Sequence, residues 1–298
     1  MEPLDYQELS VAIKEVYLDS EKYQLNKHVP TFQKDGEYVG DFFNFTMFEL
    51  DGENAPIFYH IFSPYDIITS KSSQHAVVLR AGELIMETEF SPFMIQRTGI
   101  MTSIVIGALN IDGNSANILY VGTGRMAKAD LTAMKSAFSK IEQVTFINAS
   151  GNGKEFVEFA EKLGITAVHG GLSDIGSFDV IACHTNSKEP VLAPEMISQL
   201  KEGALITTFS SEDFTEVDSE FFNSDSANII VDWEQTIGES PELKLAVERG
   251  GVNEDKILTL KNILEDRKLE DKKYTIYRSH GTPMQNLAAM KLLMKQGL

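Results

Sequence analysis

The sequence predicts an α/β protein of two domains, one built on a parallel sheet and the other an α+β domain with an antiparallel sheet. Three observations predict it. From Asn117 onward, strand-like and helix-like stretches alternate, and that rhythm implies a parallel sheet with helices on its faces. Between Tyr38 and Glu89, short β-rich runs punctuated by Gly and Asp follow one another, as antiparallel strands joined by turns do. Finally, 298 residues exceed what one hydrophobic core usually holds. The expected division gives residues 1–112 and 275–298 to the α+β domain and 113–274 to the parallel-sheet domain.

The elements follow in order. Leu4 to Tyr17 carries Leu9, Ala12, Ile13 and Val16 at helical spacing. Strands are expected over Phe42–Glu49, Pro56–Phe62, Ala76–Arg80 and Leu84–Glu87, with turns at Asp51-Gly52 and Ala81-Gly82-Glu83. Ser91 to Leu109 is long and apolar and reads as one helix leading into the second domain. Ile118–Val121 is then a strand, and Arg125–Lys140 a helix with Ala127, Leu131, Met134 and Phe138 on one face. Gln143–Ile147 is a strand and Lys154–Leu163 a helix. Val180–Ala182, Ala204–Thr208 and Asn228–Val231 are further strands. Glu239–Lys273 is charged and mostly helical, a solvated face. Tyr274–Arg278 is a last strand and Asn286–Lys295 a last helix.

Composition narrows the function. With 43% hydrophobic and 23% charged residues the chain is an ordinary soluble globular protein. A net charge of −18 repels nucleic acid and anionic membrane surfaces, so neither is an expected partner. The one cysteine, Cys183, ends an apolar strand, cannot form an internal disulfide and suits a cytoplasmic location. A packed, inert thiol is expected there rather than a nucleophile. No secretion signal or membrane span is visible. The six histidines show no metal-ligand spacing, so no metal is expected. His60, His75, His184 and His280 read as partly exposed structural residues, although His184 and His280 stand where they can line a site.

The strand Ile118–Val121 runs into Gly122-Thr123-Gly124-Arg125-Met126-Ala127 and then a helix. This is the G-x-G-x-x-A dinucleotide fingerprint of a Rossmann domain. Gly122 permits the tight turn, Gly124 lets backbone approach a pyrophosphate, and Ala127 lets helix and strand pack closely. The helix N-terminus offers free N–H groups and its positive dipole end to the phosphates. The next strand ends at Asn148, where an acidic residue normally binds the adenine ribose. Asn148 does not repel a 2′-phosphate, and Lys154 is the nearest cation, so NAD and NADP both remain open with a lean to NADP. The bland alternative is a glycine turn that binds nothing.

Several segments, taken in order, resemble the ornithine cyclodeaminase/mu-crystallin family. Gln96-Arg97-Thr98-Gly99-Ile100-Met101-Thr102 is similar to its R-T-x-x-x-T/S segment, and Val121-Gly122-Thr123-Gly124 to its glycine loop. Thr185-Asn186-Ser187-Lys188-Glu189-Pro190-Val191 resembles its T-x-S-x-x-P-V turn. Ile229-Ile230-Val231-Asp232 looks like the strand ending in its catalytic aspartate, and Gly281 to Ala289 like its closing G-x-x-x-x-D-L-A-A helix start. The resemblance covers most of the chain and is thinnest before Ala76. It implies a homodimer paired through the first domain and a nicotinamide cofactor contacting Thr98, Thr185 and Asn186 besides the glycine loop. It also implies chemistry on a small 2-amino, 2-imino or keto acid.

Within that resemblance Arg97 is the candidate for the substrate carboxylate, since a guanidinium meets a carboxylate with two parallel hydrogen bonds. The alternative is an arginine paired with an acidic side chain. Asp232 is the candidate general acid/base at a strand end facing the ligand crevice, against the alternative of a turn or cap residue. Two departures stand out. In the best register the family's early-strand lysine is Phe58, with His60 two residues on, and the aspartate of the closing motif is Asn286. Three functions follow: an NAD(P)-dependent oxidoreductase of small amino, imino or keto acids; a non-catalytic dinucleotide-binding dimer; and a true ornithine cyclodeaminase, which the missing lysine disfavours.

Overall fold

The structure, a computed structural model, describes residues 3–28, 31–34, 37–41, 44–50, 56–62, 65–66, 71–149, 151, 153–209 and 214–297. The chain divides into two compact units, Met1–Arg97 with Thr282–Leu298, and Thr98–Gly281.

The first unit begins with α1 (Tyr6–Leu18), capped by the Asp5 carboxylate, which accepts from the Gln7 and Glu8 N–H groups. Those are two of the donors that a helix start leaves unpaired. Leu9, Ile13 and Val16 give α1 its buried stripe. Next come β1 (Gln24–His28) and a two-stranded ribbon of β2 (Thr31–Lys34) and β3 (Glu37–Asp41). β4 (Asn44–Leu50) and β5 (Pro56–Phe62) follow, then a second ribbon of β6 (Tyr65–Asp66) and β7 (Lys71–Ser72). β8 (His75–Arg80) and β9 (Glu83–Glu89) complete an antiparallel sheet of order β1-β4-β5-β8-β9. The β8–β9 turn places Ala81 and Gly82 at φ of 51° and 87°. Paired positive φ values suit the twist of a tight hairpin. β5 alternates cleanly: Ile57, Tyr59 and Ile61 are buried, while Phe58, His60 and Phe62 are half-buried on the other face. α2 (Ser91–Gly99) carries the chain to the boundary at Arg97.

The second unit holds α3 (Met101–Ala108), β10 (Ile118–Val121), α4 (Arg125–Ala137), β11 (Gln143–Ile147), α5 (Lys154–Lys162) and β12 (Thr166–His169). It continues with β13 (Val180–Cys183), β14 (Ala204–Thr208), β15 (Ala227–Val231), α6 (Thr236–Glu239) and α7 (Pro241–Glu248). β16 (Leu258–Thr259), α8 (Leu260–Leu264) and β17 (Tyr274–Arg278) close it. Its eight strands are all parallel, in the order β12-β11-β10-β13-β14-β17-β15-β16. All four residues of β10 are buried, as the centre of a doubly covered sheet requires. Each such side chain stabilises the fold by roughly 1.5–3 kcal/mol. The chain runs outward from β10 through β11 to β12, then crosses back to β13 on the other side. That reversal opens a crevice at the carboxyl ends of β10 and β13. α9 (Pro283–Lys295) packs beside α1 and belongs to the first unit.

Some expectations are corrected. β1, β12 and β16 carry no sequence signal strong enough to have been expected. The helix expected over Ser91–Leu109 is two, broken at Ile100. A Cβ on Gly99 would lie 2.7 Å from the Ala129 Cβ and 2.8 Å from backbone, so the break sits where α4 approaches closely. Glu239–Lys273 is less helical than expected: besides helices it contains β16 and extended chain. β17 pairs between β14 and β15, so the second unit runs from 98 to 281 and takes in residues expected in the first. The Asp51-Gly52 turn and the strand positions Phe42 and Phe43 lie outside the described residues.

Candidate functional site

The crevice of the second unit is built on Gly122. Its φ is +101°, and a Cβ there would lie 2.2 Å from the His184 carbonyl oxygen. Only glycine fits on both counts. The Gly122 N–H donates to the Ile147 carbonyl at 2.9 Å, and the His184 N–H to that of Val121 at 2.8 Å. The ends of β10, β11 and β13 are thus tied together. Gly124 is the N-cap of α4 and makes no side-chain cap, and a Cβ on it would meet nothing within 4 Å. A bare helix N-terminus beside open space fits a dinucleotide pyrophosphate. Ala127 is fully buried and permits close helix–strand packing. Asn148 Nδ2 donates to Thr123 Oγ1 at 3.1 Å and so braces the loop from the end of β11. Arg125 is exposed and Met126 half-buried in the first turn of α4.

Beneath the loop lies a buried polar cluster centred on Asp130 of α4. Its carboxylate accepts from Thr102 Oγ1, from the Tyr120 hydroxyl at 2.7 Å, and faces His184 Nε2 at 3.0 Å. Burial, followed by the Asp130 charge, pushes the Tyr120 phenol well above its usual range. The His184 ring stacks on Phe209, with centroids 4.9 Å apart. The cluster joins α3, β10, α4 and the end of β13, so it fixes the glycine loop from below.

One strand over, the Glu216 carboxylate accepts from the Thr185 N–H at 2.6 Å and the Phe209 N–H at 2.7 Å. It is 1% exposed. Burial pushes its carboxyl up to about 7, against the two N–H donors and the charges of His184 and Arg278. Cys183 is buried, its thiol pushed well up by burial and by Glu216. The inert cysteine expected from its strand fits that environment.

Asp232, at the end of β15, accepts five hydrogen bonds. Oδ1 takes the Trp233 N–H at 3.1 Å and the Thr236 hydroxyl. Oδ2 takes Ser279 Oγ at 2.8 Å and the His280 and Gly281 N–H groups at 3.0 Å each. Two carboxylate oxygens offer about four lone-pair directions, so its acceptor capacity is filled by the protein. Those bonds fix the orientation of the carboxylate at the strand end where the acid/base was expected. They make the residue a pin on the turn 279–281.

Arg97 belongs to the first unit. It is 4% exposed, and its Nη1 donates to Gln285 Oε1 at 2.7 Å. Gln285 in turn donates to the Tyr17 hydroxyl at 3.2 Å, which lies 3.0 Å from Thr282 Oγ1. The guanidinium is therefore held in a set orientation. Asn286, in the same turn of α9, is buried, and neither of its amide atoms has a partner among the described residues.

The structure thus brings Gly122, Thr123, Gly124, Asn148 and Thr185 together, with Arg125 and Met126 on the adjoining helix turn. Asn186 is exposed in the turn after β13, and Thr98 is half-buried at the end of α2. Sequence reasoning missed Asp130 and Glu216. Asp130 left a signal: it lies three residues from Ala127 and four from Met134, on the apolar stripe of α4. Glu216 left none.

Comparison with known proteins gives three results. The profile of the ornithine cyclodeaminase/mu-crystallin family matches residues 69–296. Alanine dehydrogenase of Archaeoglobus fulgidus is 27% identical over 191 residues, 62% of this chain and 58% of that protein. The matched segment therefore spans less than two thirds of that relative. Among solved structures, Thermococcus litoralis Δ1-pyrroline-2-carboxylate reductase in complex with NADH and L-proline is similar with a TM-score of 0.80 and 19% identity. The match covers 100% of this chain and 96% of the reductase. An archaeal alanine dehydrogenase dimer with bound NAD is similar at a TM-score of 0.78 and 20% identity, over 98% of this chain and 91% of its own. The family match spans most of the sequence and includes both the glycine loop and the turn after β13. The chain belongs to the ornithine cyclodeaminase/mu-crystallin family.

Proposed function

We propose that the chain is an NAD(P)-dependent oxidoreductase acting on a small 2-amino, 2-imino or keto acid. The observation that carries this reading is the glycine loop at the sheet's switch point, with open space at Gly124 and an uncapped α4 behind it. Gly122 and Gly124 admit the pyrophosphate, the first N–H groups of α4 hold it, and Thr123, Asn148, Thr185, Asn186 and Thr98 line the site. When bound, the nicotinamide supplies a carbon that gives or takes hydride. Arg97 holds the substrate carboxylate, its plane set by Gln285. Asp232, oriented by its bonds to the turn at 279–281, is the group that would hold or move the proton. The reading is tested by following nicotinamide absorbance while small keto acids are offered with ammonia or methylamine. Oxidation of NADH or NADPH that depends on both keto acid and amine supports it. No turnover with any such pair by a chain that binds the cofactor favours a second reading, a non-catalytic dinucleotide-binding dimer. Phe58 in place of the family's lysine and the Asn286 amide, without a partner among the described residues, favour that second reading.

The oligomer is part of the same proposal. Phe48, Phe58, His60, Phe62 and His75 form a continuous run of ring contacts, with centroids 4.8 to 6.0 Å apart, on the half-exposed face of the antiparallel sheet. Phe48 is 42% exposed. Burial lowers the His60 pKa, so that ring adds a neutral surface. A face of this composition is suited to a second copy of the chain, and the similar archaeal alanine dehydrogenase is a dimer.

A further inference from the structure

We propose that Glu216 is the positioning residue of the cofactor crevice, holding the peptide between His184 and Thr185 at the height over Gly122 that dinucleotide binding requires. The proposal rests on the reading of that crevice as a dinucleotide site. Its argument starts from one peptide plane. The carbonyl of His184 and the N–H of Thr185 are the two ends of the same rigid unit. The carbonyl end abuts Gly122, 2.2 Å from where a Cβ would stand. The N–H end is gripped by the Glu216 carboxylate at 2.6 Å. Whatever turns that plane moves the roof of the glycine loop.

The same carboxylate sets the neighbouring strand. β13 and β14 pair in parallel up to Cys183 and Thr208. Beyond that pair the ladder ends, and the N–H groups of Thr185 and Phe209 both turn to Glu216. The residue's own backbone is anchored in the turn it controls. Its carbonyl accepts from the Val191 and Leu192 N–H groups at 3.0 and 3.1 Å, and the preceding Thr215 N–H donates to Ser187 at 2.8 Å. One side chain therefore fastens the ends of two strands and the turn Thr185–Val191.

Ionisation enters because only the carboxylate can accept from both N–H groups with equal strength; a protonated oxygen is the weaker acceptor, so one of the two bonds loosens. The groups acting on it are Cys183 and His184 at the end of β13 and Arg278 at the end of β17. Burial outweighs the two N–H donors and the Arg278 guanidinium, so the proton is taken up near neutral pH. Cofactor affinity is then expected to weaken as the pH falls through this range.

The test compares the full-length wild-type chain with Glu216→Gln and Glu216→Asp, titrated with NADH and with NADPH from pH 6 to pH 8. Nicotinamide fluorescence gives Kd. Hydrogen–deuterium exchange is followed over the segments containing Thr185 and Phe209. The glutamine amide must aim its NH2 at one of the two N–H groups, and the aspartate is one carbon too short to reach both. Each variant is expected to bind about tenfold more weakly at pH 8 and to exchange faster at both segments, and Glu216→Gln, which has no carboxyl to titrate, to lose the pH dependence seen in wild type. Variant affinity equal to wild type across the range, or a flat wild-type profile, overturns the proposal. If the glutamine chain does not fold, the wild-type profile decides the pH dependence, and the affinity and exchange of the aspartate variant at pH 8 decide the positioning role. A wild-type chain that binds neither cofactor overturns the dinucleotide reading itself, which is a different result from equal binding by all three chains.

Discussion

The glycine loop allows fold and function to be separated by two substitutions of the same size. Gly122→Ala places a methyl group 2.2 Å from the His184 carbonyl oxygen and 2.8 Å from its carbon, at a φ of +101°. The left-handed backbone costs about 1–3 kcal/mol for a residue with a Cβ. The clash adds to it, because its partner is backbone and cannot rotate away, for a total of about 3 kcal/mol or more. Gly124→Ala differs: φ is −75°, and the new methyl meets nothing within 4 Å. Its stability change is expected to stay below about 1 kcal/mol, the difference between glycine and alanine at an N-cap. That methyl would, however, fill the space through which a pyrophosphate approaches, and NADH binding is expected to weaken by about tenfold to a hundredfold, or roughly 1.4–2.8 kcal/mol. Urea unfolding can be followed by the fluorescence of Trp233, the one tryptophan of the chain, which is buried in the same unit. A Gly122→Ala chain as stable as wild type, or a Gly124→Ala chain that binds NADH as wild type does, would refute the reasoning.

Glu216 also links stability to pH. Its carboxyl is raised from 4.5 to about 7 in the folded chain, so the folded state holds that proton more tightly than the unfolded one. The stability it contributes is present below about pH 4.5 and is lost as the pH rises to about 7, some 3 kcal/mol in all. The stability of wild type minus that of Glu216→Gln should fall by this amount across the window and level off above it; a difference constant with pH contradicts the assignment. Asp232→Asn must turn an NH2 toward at least one fixed backbone donor. The cheapest choice faces the Trp233 N–H and the rotatable Thr236 hydroxyl, which predicts a loss of about 2 kcal/mol in urea unfolding with NADH affinity unchanged; unaltered stability would show that the carboxylate is not a pin. Phe58→Glu puts a charge in the middle of the ring run on the antiparallel sheet and is expected to shift the chain from dimer to monomer in sedimentation velocity; a wild-type monomer would remove that face as the interface.

Periodicity and glycine placement made much of this legible. Gln143–Ile147 and Ala204–Thr208 are strands at the bounds their apolar runs suggest, and Gly122 and Gly124 stand where a strand turns into a helix. β12 escaped because Thr166-Ala167-Val168-His169 buries only Ala167, so its sequence lacks the apolar run of a central strand. β1 escaped for a similar reason, with Lys27 its one buried residue. The break at Ile100 was hidden because glycine lowers helix propensity without forbidding a helix, and the neighbour that makes Gly99 necessary, Ala129, is thirty residues away. The candidate site was legible where it is backbone and glycine. It was opaque where it depends on long-range acceptors: nothing local marks Glu216 as the partner of Thr185 and Phe209. The same limit hid the surroundings of Asp232: its five donors, three of them at 279–281, are brought to it only by the fold.

The central claim is that the second unit binds a nicotinamide dinucleotide at its glycine loop. Titration of the purified chain with NADH and with NADPH, followed by nicotinamide fluorescence, tests it most directly. Saturable binding of at least one, weakened by Gly124→Ala, is the predicted result. No binding of either by a folded wild-type chain would contradict it.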